Sequence, residues 1–243
     1  VKHQLGLFEH PLTDSALINC VGATEHFTLA REAVRKSAVL LKNNRGTLPL
    51  DTSAQAILLA GEAAHDMGLQ CGGWTIEWQG KRGNDIPGTT LLTGLSQVAE
   101  LQYAPNGVYA QTALSETVGI VVIAEQPYAE GSGDAEDLSI SAEDIQLIQR
   151  MRAQCERLVL VIYSGRPLII TDVEPLCDAI VAAWLPGSAG EGLVDLLIGT
   201  HPFSGKLPHD WIASMDQTPR SDLIQSGESP LYRYGHGLTT IPR

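Results

Sequence analysis

The period of the hydrophobic positions changes along the chain. From Thr28 to Lys42 apolar residues fall at Ala30, Val34, Ala38 and Leu41, a spacing that predicts a helix closed by the turn residues N-N-R-G. Short apolar runs follow: Ala56 to Ala60, Val118 to Ala124, Leu158 to Tyr163 and Ala179 to Trp184. They are apolar at consecutive positions, as expected of strands covered on both faces in a parallel sheet. Between them Leu91 to Glu100, Ala142 to Glu156 and Ala189 to Ile198 read as helices. Alternating strands and helices predict a doubly wound α/β sandwich. Val1 to Asn19 is aperiodic and reads as a linker or docking arm, and after Gly205 the pattern dissolves into turns.

In open parallel sheets ligands bind beyond the carboxyl ends of the strands. The run ending at Ala60 leads through H-D-M-G-L-Q into C-G-G-W-T-I-E-W-Q-G (Cys71 to Gly80), and the run ending at Ala124 leads into E-Q-P-Y-A-E-G-S-G-D (Glu125 to Asp134). Both loops are polar and carry glycine, so they are expected to share one edge of the sheet.

Composition narrows the function. The chain has 243 residues, 44% hydrophobic and 18% charged, enough for one large domain or two small ones. A net charge of -12 argues against nucleic-acid binding, which needs basic patches. No apolar run approaches the length of about 18 residues that suggests membrane insertion. The chain starts at Val1, shows no signal peptide and reads as a piece of something longer. Cys20, Cys71, Cys155 and Cys177 lack metal or redox spacing, and Cys155 and Cys177 read as buried thiols. The seven histidines show no helical ligand pair, so no metal and no cofactor are expected.

Two nucleotide or nucleophile motifs fail on inspection. Gly199 to Leu207 resembles a phosphate loop, with one residue too many between its glycines and Leu207 where a Ser or Thr should follow Lys206. Ser188 is out of register for a nucleophile elbow and reads as a helix cap. A flavodoxin-like nucleotide binder therefore has little support. The acidic loop offers more. Glu125, Glu130, Asp134, Glu136 and Asp137 crowd together after a buried strand. They form either a solvated acidic loop or the seat of a general acid, whose pKa an enclosed site would raise. Trp74 and Trp78, two of four tryptophans, flank Glu77 in a glycine-rich setting. They either pack beneath the loop or stack on the C–H faces of sugar rings. An acid catalyst beside a sugar platform points to glycoside hydrolysis, which uses two carboxyl groups across the scissile bond.

Eight motifs, in order along nearly the whole chain, carry a family resemblance: V-R-K-S-A-V-L-L-K-N with L-P-L (Val34 to Leu50), C-G-G-W-T-I-E-W-Q-G, P-G-T-T-L-L (Pro87 to Leu92), E-Q-P-Y-A-E-G-S-G-D, S-G-R-P-L (Ser164 to Leu168), A-A-W-L-P-G-S-A-G-E-G (Ala182 to Gly192), F-S-G-K-L-P (Phe203 to Pro208) and Y-G-H-G-L (Tyr234 to Leu238). Together they resemble the second domain of family 3 glycoside hydrolases, most nearly the β-D-glucan exohydrolase and β-glucosidase branch with its exo-1,3/1,4-β-glucanases. The resemblance implies a (β/α)8 barrel followed by a six-stranded, mostly parallel α/β sandwich. Residues 1–20 would then be the end of the barrel domain and the linker, and residues 21–243 the sandwich.

It further implies a retaining mechanism with an aspartate nucleophile on the barrel, which this chain lacks. The glutamate of the family's P-Y-x-E segment corresponds to Glu130 as acid/base, with Glu125 the alternative at the strand end. Trp78 corresponds to one wall of the aglycone subsite, with Trp74 at its rim. S-G-R-P and L-P-G-S read as strand-end structure. The implied partners are β-linked gluco-oligosaccharides or glucans and the barrel domain, in a periplasmic or secreted setting. The alternative is that the chain by itself is a non-catalytic carbohydrate-binding or domain-docking module.

Overall fold

The computed structural model describes residues 1–53, 55–110, 116–218 and 229–241. Six strands form one sheet: β1 (Val39–Asn43), β2 (Ala56–Ala60), β3 (Leu101–Tyr103), β4 (Thr117–Ala124), β5 (Arg157–Tyr163) and β6 (Ala179–Trp184). Their order is β1-β6-β5-β4-β2-β3. The strands β2 to β6 pair in parallel, and β1 closes one edge antiparallel to β6. This is the expected mostly parallel six-stranded sheet.

Successive residues of the central strands feed two cores. Val118, Ile120 and Val122 of β4, with Val159, Val161 and Tyr163 of β5, face α1 (Thr24–Ser37), α3 (Leu91–Leu95) and α5 (Glu191–Ile198). Val121 and Ile123, with Leu158, Leu160 and Ile162, face α4 (Ala142–Arg152) and the tail around Trp211. Burial on both faces explains why these strands read as unbroken apolar runs. The Trp211 ring is fully buried and its indole N–H donates to the carbonyl of Leu168 at 2.8 Å, so no polar atom is stranded with it.

One predicted element divides in two. The helix expected over Thr28 to Lys42 is helical only to Ser37, and Val39 onward is β1. At Ala38 the backbone turns extended, with φ −62° and ψ 133°. Leu40 then enters one core while Val39 and Leu41 enter the other. Only a strand can bury consecutive residues on opposite faces. The apolar positions Ala38 and Leu41 continue the helical phase by coincidence. The helix over Leu91 to Glu100 also stops early, at Leu95, and its strand neighbour β3 is only three residues long. The helix α5 meets α1 through charge as well as oil: Asp195 is buried at 4% exposure between Arg31 and Arg35, with Arg31 Nη2 at 2.6 Å. Burial pushes the Asp195 carboxyl up, but the two guanidinium groups outweigh it and hold it below the usual carboxylate range.

Among residues 1–20 only Gly6 is even partly covered, and Leu5, Phe8, Leu12 and Ile18 face solvent. No helix among the described residues is long and apolar enough to cross a membrane.

Candidate active site

The two loops meet beyond the carboxyl ends of β2 and β4. From β2 the chain passes through a 3₁₀ turn (Glu62–His65) and the short α2 (Met67–Cys71) before entering the tryptophan loop. Gly73 lies so close to the acidic loop that a Cβ there would sit 2.0 Å from the carbonyl oxygen of Tyr128. Only glycine allows that approach. The Gln79 side-chain oxygen accepts from the backbone N–H of Ala129 at 2.9 Å, and its amide nitrogen is buried with no partner among the described residues.

The tip of the tryptophan loop is a tight hairpin. The N–H of Trp74 donates to the carbonyl of Trp78 at 2.9 Å, and Thr75 bridges Glu77. Trp74 and Ile76 occupy the left-handed region, at φ 58° and 62°, where a residue with a Cβ sits at a cost. The two indole rings lie 6.3 Å apart at 55°. They are open to solvent, Trp74 at 69% and Trp78 at 53% exposure, with Ile76 between them at 73%. The rings do not pack beneath the loop.

The acidic loop separates its two glutamates. Glu125 is fully engaged. Arg166 Nε and Nη2 reach its Oε1 at 2.9 and 2.8 Å, while the Tyr128 hydroxyl and the Gly165 N–H donate to its Oε2 at 3.0 and 3.2 Å. Burial, then the Glu125 charge and hydrogen bond, push the Tyr128 phenol up to about 12, so it stays a donor. Glu130 is exposed, opens a 3₁₀ turn (Glu130–Gly133) and sits at φ 51°, and its carboxyl group has no hydrogen bond or ion pair among the described residues. Asp134, Glu136 and Asp137 are exposed, and Asp137 caps Ser139 through its backbone N–H at 2.9 Å. A cavity of about 710 Å³ borders this loop, lined by Glu62, Arg82, Glu125, Asp144 and Arg150 among others, but not by Glu130 or either exposed tryptophan.

Other candidates resolve plainly. The phosphate-loop look-alike is not one: Gly199 ends α5 in the left-handed conformation, Phe203 is fully buried and Lys206 Nζ donates to the carbonyl of Gly237 at 2.5 Å. Ser188 is not a cap. Gly190 occupies that position without a side-chain bond, and Ser188 instead accepts through its carbonyl from Thr89 at 2.9 Å. Cys155 and Cys177 are buried free thiols, as expected. No cluster of metal-ligating side chains occurs among the described residues. Sequence reasoning passed over Tyr128, Gln79 and Arg166 as organisers of the site. Their only signal was position: a tyrosine and an arginine at adjacent strand ends, and a glutamine just after Trp78.

A mostly parallel six-stranded sandwich with chemistry-bearing loops at one sheet edge is the architecture of a ligand-handling α/β domain. The family comparison specifies it: residues 38–240 match the glycosyl hydrolase family 3 C-terminal domain, and the chain belongs to that family. It is 31% identical to a lysosomal beta glucosidase of Dictyostelium discoideum over 98% of this chain and 33% of the relative. It is 26% identical to a periplasmic beta-glucosidase of Salmonella typhimurium over 98% of this chain and 39% of the relative. Among solved structures it is similar to an exo-1,3/1,4-beta-glucanase from a Pseudoalteromonas species, with TM-score 0.76, 37% identity, and coverage of 90% of this chain and 29% of that one. A mutant beta-glucosidase from Listeria innocua in complex with laminaribiose matches at TM-score 0.80 and 25% identity, over 98% and 37% of the two chains. The chain thus spans 33% and 39% of the length of these two curated relatives.

Proposed function

We propose that the complete protein is a retaining, exo-acting β-glucosidase or β-glucanase, and that this chain supplies its general acid/base, Glu130, and an aromatic wall, Trp78 with Trp74 at the rim. The observation that carries the reading is the interlocking of the two loops, which puts a carboxyl group without a partner of its own and two solvent-facing indoles on one edge of the sheet. Glu125 is the weaker choice, because four donors already occupy its oxygens.

In this reading Glu130 gives its proton to the glycosidic oxygen as the bond to the anomeric carbon breaks, while an aspartate on the barrel attacks that carbon. Glu130 then takes a proton from the water that releases the sugar. The indole faces hold the departing sugar by its C–H surface. The nucleophile lies outside this chain, so the chain alone is expected to bind sugars without cutting them. Its similarity to β-glucosidases and a β-glucanase supports β-linked glucosides as substrates, and one periplasmic relative supports an exported setting.

The test is Glu130→Gln in the complete protein. Turnover of a disaccharide, whose leaving group needs the proton, should fall by roughly 10²–10⁴-fold. The kcat/KM of a 2,4-dinitrophenyl β-glucoside, whose leaving group needs no proton, should change little, while its kcat falls because the water of the second step is no longer deprotonated. Equal loss of kcat/KM on both substrates removes Glu130 from the role.

A further inference from the structure

A carboxyl group that must meet a glycosidic oxygen has to be aimed, because a misplacement of about 1 Å can cost roughly 10²-fold in rate. Glu130 has no side-chain partner among the described residues to aim it. Its backbone, at φ 51°, stays in the left-handed region only if its surroundings hold it there. Those surroundings converge on Arg166, which follows β5 on another stretch of chain. Its Nε and Nη2 grip Glu125, and its Nη1 donates to the carbonyl of Gly133 at 2.5 Å. One guanidinium therefore ties together the two ends of the segment 125–133 that contains Glu130.

Tyr128 fills the space inside this loop. The guanidinium lies 4.7 Å above its ring, and its hydroxyl completes the hold on Glu125. A Cβ on Gly133 would come within 2.3 Å of the ring, so no room is left for the segment to slide. A planar fork of five donors reaches two acceptors in fixed directions, which a lysine ammonium does not reproduce.

We infer that Arg166 is a positioning residue for Glu130: it closes segment 125–133 into a fixed loop and so sets where the Glu130 carboxyl projects. The inference rests on the reading of Glu130 as the acid/base.

The experiment measures kcat and KM of the complete protein on cellobiose and on 2,4-dinitrophenyl β-glucoside for Arg166→Met, Arg166→Lys, Glu130→Gln and the Glu130→Gln/Arg166→Met double variant. Arg166→Met should lower kcat/KM on cellobiose by roughly 10²-fold and change kcat/KM on the activated substrate by less than about fivefold. Arg166→Lys should recover part of the loss. Added to Glu130→Gln, Arg166→Met should cost cellobiose turnover nothing further. Should Arg166→Met fail to fold, Arg166→Lys and Tyr128→Phe carry the same comparison. Equal loss of kcat/KM on both substrates, or full additivity in the double variant, overturns the inference. If Glu130→Gln discriminates between the substrates and the Arg166 variants do not, only the positioning role falls. If Glu130→Gln itself fails to discriminate, the acid/base reading falls and the positioning role falls with it.

Discussion

The acidic loop and the tryptophan loop lie against each other, yet they are held by different physics. In the acidic loop the fixing groups are side chains: Glu125, Tyr128 and Arg166 form a charged knot within the segment and across to β5. In the tryptophan loop the fixing occurs at the base, through backbone approach at Gly73 and the Gln79 bond, and the rings at the tip are left bare. The contrast fits two tasks. On the proposed reading, a proton donor must be aimed at one atom, which a cross-braced loop allows. A sugar platform needs area and a fixed root, and its apolar faces gain their stabilisation only when something covers them.

That contrast can be broken from the braced side first. Gly133→Ala should force its Cβ into the Tyr128 ring and destabilise the complete protein by about 1–3 kcal/mol, read as a lower urea midpoint. Gly131→Ala, two positions earlier, meets nothing within 4 Å and should be silent in the same titration. Equal effects at the two glycines would mean that the loop is not braced through Tyr128. The smallest effect belongs to the bare loop. Trp78→Ala should leave stability within about 0.5 kcal/mol, because its ring is 53% exposed. It should weaken binding of a gluco-oligosaccharide about tenfold, as expected for roughly 1–2 kcal/mol of lost apolar contact. A large stability loss with unchanged sugar affinity would make the ring a packing element.

Much of this architecture was legible because the physics behind it is local. Strands covered on both faces must be apolar at consecutive positions, so β2, β4, β5 and β6 stood out with boundaries right to within a residue. The strand β1 did not, because Ala38 and Leu41 happen to fall on the helical phase of Val34, and the switch at Ala38 is dictated by pairing with β6, far along the chain. Three residues are too few for β3 to show any period. The placement of both loops at one edge followed from strand direction alone, and the structure bears it out. What organises them was hidden: the Arg166 to Glu125 bond spans 41 positions and the Ala129 to Gln79 bond spans 50. Residue type and order can nominate Glu130 and Trp78, but contacts across such distances become visible only in the fold.

The most direct test of the central claim is chemical rescue of Glu130→Ala in the complete protein, using 2,4-dinitrophenyl β-glucoside with and without sodium azide. If Glu130 is the acid/base of a retaining enzyme, the glycosyl enzyme still forms, azide attacks it without needing deprotonation, turnover rises with azide, and β-glucosyl azide accumulates. No rise in turnover, with glucose the only sugar product, would contradict the assignment.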